Sequence, residues 1–209
     1  MASERVKIVV VGDTAVGKTC LLNCFCTERF PKDSIPTIFD NFQKTIVLDD
    51  SLVDLQLWDS AGQPRYANVR KFSYPATDVL LLCYSIADKE SFARIKSYWL
   101  PEIRDNCPGV PFMMIGTKAD IRDTRSDLDE DDGWRTRPQH LPFVTYDAAH
   151  EMARQLGASG HKETSALQLF NVQEAFHEAA RIALTKSPQK VGVPLRHRLG
   201  KRQCFCAIL

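Results

Sequence analysis

The chain has no apolar run near the ~20 residues that would carry a helix across a bilayer, so no membrane-spanning helix is expected. Met1-Ala2-Ser3-Glu4-Arg5 runs straight into a strand-like segment and lacks a signal-peptide pattern. The seven cysteines are odd in number, and no two form a C-x-x-C pair. This argues against a disulfide framework or a structural zinc site. Cys20, Cys24, Cys26, Cys83 and Cys107, in or beside apolar segments, read instead as reduced core thiols. The five histidines form no ligand-like cluster and read as solvated or packed, and no internal repeat is present. Residues 185–209 contain Lys186, Lys190, Arg196, Arg198, Lys201 and Arg202 but no acid. Without those six, 21 basic residues face 26 acidic ones, so the net charge of +1 divides into a body near −5 and a tail near +6. A tail of this kind meets nucleic acid or an anionic membrane.

What is present suffices for one α/β domain with a modest tail: 209 residues, 44% hydrophobic and 25% charged. Val6–Val11 is a continuous apolar run, as expected of a strand buried on both faces. A helix is expected over Gly17–Cys26. Phe42–Leu48 and Leu52–Trp58 flank Asp49-Asp50-Ser51 and read as a hairpin. Val79–Tyr84 and Phe112–Ile115 are two further buried strands, and Phe92, Ile95, Trp99 and Ile103 between them recur at helical spacing. A polar, acidic stretch from Asp123 to His140 interrupts the pattern. Helices are expected at Ala148–Leu156 and Val172–Leu184, with a short last strand before Glu163. Strand–helix alternation predicts a mostly parallel sheet covered on both faces, with ligands at the C-terminal ends of the strands.

Gly12-Asp13-Thr14-Ala15-Val16-Gly17-Lys18-Thr19 satisfies G-x-x-x-x-G-K-[ST] directly after a buried strand and before a helix, with Cys20 following. Gly12 and Gly17 let the backbone curl so that its N–H groups face a β-phosphate, and the helix N-terminus adds positive potential. Lys18 can reach the β- and γ-phosphates, and the Thr19 hydroxyl can ligate Mg²⁺. A P-loop alone does not choose between ATP and GTP. Thr117-Lys118-Ala119-Asp120, at the end of the Phe112–Ile115 strand, does: a carboxylate there accepts from guanine N1–H and the 2-amino group, an edge that adenine lacks. The Lys118 stem would lie along the base. Thr164-Ser165-Ala166-Leu167 fits a loop whose Ala166 N–H meets guanine O6. Either tetrapeptide alone is weak, since T-K-x-D also suits a helix N-cap, but order and spacing after a P-loop strengthen both.

Two segments address the γ-phosphate. In Trp58-Asp59-Ser60-Ala61-Gly62-Gln63, Asp59 can bind Mg²⁺ through water, the Gly62 N–H can meet the γ-phosphate, and Gln63 can orient the attacking water. Thr37, after Pro36 in the loop beyond the first helix, can supply a second hydroxyl to Mg²⁺. At the other end, Cys206-Ala207-Ile208-Leu209 is a C-a-a-X box whose terminal Leu favours geranylgeranylation. One lipid seldom anchors a protein, and Arg196, Arg198, Lys201 and Arg202 supply a second signal of about 1 kcal/mol per residue near an anionic leaflet. Cys204 is a candidate for palmitoylation. Nucleic acid is the poorer partner for this tail, because no aromatic or groove-fitting helix accompanies the charges.

These segments, in this order, resemble the Ras superfamily across about residues 1–184, leaving 185–209 as a hypervariable tail. Phe30-Pro31, Ile35–Asn41, Ser73-Tyr74-Pro75, the insert at 123–140 and the C-a-a-X box are most similar to the Rho family. The resemblance implies a six-stranded, mostly parallel sheet with one antiparallel strand and helices on both faces. It also implies a monomeric G domain that binds GTP and GDP with Mg²⁺ and hydrolyses GTP, with loops 30–42 and 60–75 as switches. Phe30 would pack on the guanine. Implied partners are exchange factors, GTPase-activating proteins, a dissociation inhibitor and effectors, at the cytoplasmic face of a membrane, the plasma membrane first, with a cytosolic pool and cytoskeletal signalling downstream. Three positions depart from the family. Thr14 stands where Gly is usual, Ser34 where a Tyr is common, and Pro64 where most members have an acid. Pro64–Arg70 looks closer to the Rnd branch, whose members hold GTP without hydrolysing it, yet Gln63, which that branch lacks, is present. The six acids of the insert fit either a solvated segment or a dock for a basic surface. A hydrolysing switch and a GTP-locked binding module are therefore the two functional classes.

Overall fold

The first strand, β1 (Glu4–Gly12), sits at the centre of the sheet, and its side chains divide between two cores. The computed structural model describes residues 4–31, 39–122 and 143–186. Val6, Ile8 and Val10 enter one core and Val9 and Val11 the other, the period-2 alternation of a pleated strand. β4 (Val79–Ser85) and β5 (Phe112–Thr117) divide in the same way: Leu81, Cys83, Met113 and Ile115 on one face, Leu80, Leu82, Tyr84 and Met114 on the other. This two-sided burial is why their sequences read as unbroken apolar runs. The sheet order is β2-β3-β1-β4-β5-β6, with β2 (Phe39–Leu48) antiparallel to β3 (Ser51–Ser60) and every other pairing parallel, out to β6 (Gly160–Glu163).

Helices cover both faces. α1 (Lys18–Thr27) and the last helix, α6 (Val172–Lys186), pack on one side, where the rings of Phe25 and Phe176 stack with centroids 4.1 Å apart. On the other lie α3 (Lys89–Arg94), α4 (Leu100–Asn106) and α5 (Tyr146–Leu156). Full burial of each Val, Leu, Ile or Phe contributes about 1.5–3 kcal/mol, so either core greatly exceeds any one surface contact. Side-chain caps fix two helix starts. The Asp88 carboxylate accepts from Glu90 and Ser91 N–H, and the Thr145 hydroxyl from Ala148 N–H.

Three details differ from the sequence reading. The hairpin turn is Asp49-Asp50 alone, with both φ positive (48° and 65°) and Leu48 opposite Ser51. That is the geometry of a two-residue turn matched to strand twist, so Ser51 belongs to β3. The helical spacing of Phe92–Ile103 conceals an interruption: Ile95–Trp99 forms a wide turn in which Leu100 N–H donates to Ile95 C=O. Pro101 is the cause, since it has no N–H to offer and its ring would strike the carbonyl four residues back. Finally, Pro64–Ser73 is not an open loop. Pro64–Tyr66 is a 3₁₀ turn with proline at its first position, followed by the single turn α2 (Ala67–Arg70) and a second 3₁₀ turn, Lys71–Ser73. Ser34, Thr37, the insert at 123–140 and the tail with Cys204 and Cys206 lie outside the described residues. Among the described residues, no helix is long and apolar enough to cross a membrane.

Candidate functional site

The P-loop leaves the end of β1 and turns under the ends of the neighbouring strands. Gly12 has φ 145°, and a Cβ there would lie 2.2 Å from the Cys83 carbonyl oxygen of β4, so only glycine fits. Asp13, Thr14, Ala15 (φ 61°) and Val16 carry the chain to Gly17 (φ 104°), after which α1 begins at Lys18. The helix start read at Gly17 is thus one residue later, because a left-handed Gly17 cannot be its first residue. The Lys18 ammonium is buried and donates to the Gly12 and Asp13 carbonyls at 2.8 and 2.7 Å, which centres the charge beneath the loop. Burial lowers its pKa from the ordinary value, against the opposing pull of Asp59.

The T-K-x-D segment is fastened to this loop directly. Thr117 Oγ1 donates to the Val16 carbonyl, and Lys118 Nζ donates to the Ala15 carbonyl at 2.7 Å. The Ser165 hydroxyl donates to Asp120 Oδ1 at 2.5 Å, and Ala119 N–H to the Thr164 carbonyl at 3.1 Å, which joins the third loop to the second. Ala166 is held through its carbonyl by the Cys24 thiol at 3.3 Å. These bonds leave a cleft of about 170 Å³ bounded by Gly17, Cys20, Phe30, Lys118, Asp120 and Leu167. Phe30 is 44% exposed and Leu167 59%, so two apolar surfaces flank a half-buried polar floor, as a planar base requires. Thr164, the first residue of the third loop, also lines it, as do Leu21 and Ile121, which the sequence reading missed because they belong to no motif. A groove of about 290 Å³ between Arg5, Gln43, Lys44 and Gln56 touches none of these loops.

Asp59, at the end of β3, is fully buried, and Thr19 Oγ1 donates to its Oδ2 at 2.5 Å. A hydroxyl and a carboxylate side by side below the phosphate loop fit Mg²⁺, which takes hard oxygen donors and few of them from protein. Among the described residues no group of three or more His, Cys, Asp and Glu is placed to cage a metal. Gly62 lies against the loop itself: a Cβ there would fall 2.4 Å from the Asp13 carbonyl carbon and the Thr14 nitrogen. Gln63 is half-buried with φ −72° and ψ 136°, the extended conformation that a following proline imposes. Thr14 is exposed at the mouth of the loop.

The sequence reading did not find the groups behind this site. The Asp13 carboxylate points away from the loop interior, accepting from Trp99 Nε1 at 2.7 Å and pairing with Arg94 Nε at 3.2 Å. Asp13 therefore serves the loop through its backbone. The Trp99 ring also lies 4.6 Å from the Arg70 guanidinium, whose side chain is wholly buried. Arg70 grips Glu102 with two hydrogen bonds of 2.7 Å and donates to the Ala61 carbonyl, also at 2.7 Å. Tyr74 Oη donates to the same carboxylate. Burial works against both charges, yet their mutual hydrogen bonds prevail: the Arg70 pKa is raised and that of Glu102 lowered. One available signal was Pro101, whose place in a helical pattern foretells the wide turn that carries Trp99. A family model describing the Ras family matches residues 7–185, a span containing the P-loop, Asp59–Gln63, Asp120 and Ser165–Leu167.

Proposed function

The chain belongs to the Ras family, and we propose that this small GTPase switch is of the Rho type, hydrolyses GTP slowly, and acts from a membrane. The observation that carries the nucleotide reading is the direct fastening of Lys118 and Thr117 to the P-loop carbonyls, which makes base and phosphate sites one cleft. In this reading Asp120 accepts from the guanine edge, the Ala166 N–H meets O6, and Phe30 and Leu167 cover the base. The N–H groups of residues 13–18 and the Lys18 ammonium hold the phosphates. Thr19 and Thr37, with Asp59 through water, would hold Mg²⁺, which when bound would offset charge on the β- and γ-phosphates. The Gly62 N–H meets the γ-phosphate, Gln63 orients water, and loss of the γ-phosphate releases both switches. Exchange factors, activating proteins and effectors meet those switches.

Single-turnover hydrolysis of GTP tests this reading. Wild type should hydrolyse slowly but measurably, and Gln63→Leu should lower the rate about tenfold or more, since the attacking water is then no longer oriented. Equal rates in the two proteins would remove Gln63 from the mechanism. The extended Gln63 before Pro64 favours a second reading, a GTP-locked binding module, and hydrolysis absent in wild type would select it.

The tail completes the reading. A geranylgeranyl group on Cys206, with palmitate on Cys204 as a candidate addition, joins the four charges Arg196–Arg202 in holding the cytoplasmic face of an anionic membrane, the plasma membrane first. A dissociation inhibitor would maintain the cytosolic pool. Cys206→Ser should move the protein to the soluble fraction of lysed cells, and Cys206→Ser protein sedimenting with membranes as wild type does would disprove the anchor.

A further inference from the structure

Trp99, Arg70 and Glu102 close a circuit between the P-loop and the segment that carries Gln63. It runs from Asp13 through the Trp99 indole to the face of the Arg70 guanidinium, and from Arg70 Nη1 to the Ala61 carbonyl. Ala61 precedes Gly62, whose backbone rests on the Asp13–Thr14 peptide, where the circuit ends. Each link is close: 2.7 Å, 4.6 Å and 2.7 Å, and then a contact too tight for a Cβ. Arg70 cannot swing away, because both of its remaining donor edges are engaged by Glu102 and by Tyr98 Oη at 3.2 Å. Glu102 is itself fixed by the Tyr74 hydroxyl. A buried guanidinium is costly if structure were all it served, since an ion pair replaced by apolar groups of similar volume is often no less stable. A planar fork offers what apolar groups lack, namely several hydrogen bonds in fixed directions, one of them to a backbone carbonyl two residues before Gln63.

We propose that Arg70 is a positioning residue for hydrolysis: by holding the Ala61 carbonyl it sets Gly62 and Gln63 against the P-loop, with Trp99 tying the clasp to Asp13. The proposal rests on the GTPase reading above. Arg70 acts through the backbone of residues 61–63, by way of the Ala61 carbonyl. The wide turn forced by Pro101 belongs to the device, because Tyr98 and Trp99 project from it toward Arg70 and Asp13 together. Arg94 secures the far end, holding the second oxygen of Asp13 at 3.2 Å.

The test separates positioning from mere stability. Arg70→Met alone strands Glu102 in the interior and is expected to unfold readily. The double variant Arg70→Met/Glu102→Met restores an apolar fit without the donor to Ala61, and Arg70→Lys keeps the charge while losing the fork. For each, thermal midpoint, affinity for a non-hydrolysable GTP analogue, single-turnover hydrolysis and hydrogen exchange at the Gly62, Gln63, Arg65 and Tyr66 amides are measured on the full chain. The expected result is a double variant with thermal midpoint and analogue affinity near wild type, hydrolysis at least tenfold slower, and exchange at those amides at least tenfold faster. Arg70→Lys should show the same split, and it carries the test by itself if the double variant does not fold. Wild-type hydrolysis and exchange in a folded variant of either kind would overturn the proposal and leave Arg70 a structural residue. If wild type itself does not hydrolyse GTP, the hydrolysis reading fails, and unchanged or faster amide exchange still decides whether the clasp exists.

Discussion

Asp120→Asn should weaken GTP binding roughly 10- to 100-fold and turn the preference toward xanthosine triphosphate. The Asp120 carboxylate lies on the floor of the apolar-sided cleft with one oxygen already engaged by the Ser165 hydroxyl at 2.5 Å. Guanine presents N1–H and a 2-amino group to that carboxylate, two donors meeting an acceptor. An asparagine presents one acceptor and one donor, so its amide nitrogen would face the 2-amino group of guanine, and a donor aimed at a donor leaves both without a partner. Loss of a charge-assisted hydrogen bond in a buried site costs about 1.5–3 kcal/mol, which sets the expected range. Xanthine carries a carbonyl at position 2 and accepts from the new amide, so its nucleotide should gain where GTP loses. Competition titrations of GTP, xanthosine triphosphate and ATP against wild type and variant measure both directions. Wild type binding ATP as tightly as GTP would show that Asp120 reads no base.

The ease with which Asp120 was read, beside the invisibility of Arg70, marks what a sequence makes legible. Residues that hold phosphate and base sit in short segments, because a backbone turn and the side chain it serves must be within a few residues of one another. Gly12, Lys18, Thr19 and Asp120 could therefore be proposed from spacing alone. Strand cores were legible for a related reason: burial on two faces demands apolar residues without gaps, as in Val6–Val11. Strand ends were not, since the ladder runs on through polar residues such as Glu4, Arg5 and Ser51, whose side chains are exposed. The clasp obeys no spacing rule. Arg70 and Glu102 are 32 residues apart, and Asp13 and Trp99 are 86 apart. Only the fold brings them together, and an arginine in a polar segment looks solvated until its partners are known. The shape of residues 64–73 was half legible: a proline after Gln63 disfavours the helical region for it, but no spacing shows that Arg70, at the end of α2, is buried.

Thr14 and Pro64 should together make wild type respond weakly to activating proteins, and removing both should recover much of a stimulation that amounts to 10³–10⁵-fold in related systems. An activating protein supplies an arginine beside the γ-phosphate, and its path crosses the loop at position 14. Thr14 is exposed at that mouth, where glycine would present only hydrogen and threonine sets a branched side chain in the way. Behind it, Gly62 lies so close to the Thr14 nitrogen that the loop cannot recede to make room. Pro64 acts on the other partner. Gln63 is extended, at φ −72° and ψ 136°, and proline at the next position disfavours its turning into the helical region. The amide that must orient water has fewer conformations open to it, and the clasp below holds its backbone in place. Thr14→Gly should therefore raise the stimulated rate by at least tenfold. Pro64→Glu should add to it only where backbone freedom at Gln63 is limiting, and the double variant should exceed either single one. Rates are measured for all four proteins against one Rho-type activating protein under single-turnover conditions, with GTP affinity as a control. Strong stimulation of wild type, unmoved by either substitution, would refute both steric arguments. A double variant that still fails to hydrolyse GTP would place the chain in the GTP-locked class, with its switch reset by exchange or turnover of the protein rather than by chemistry.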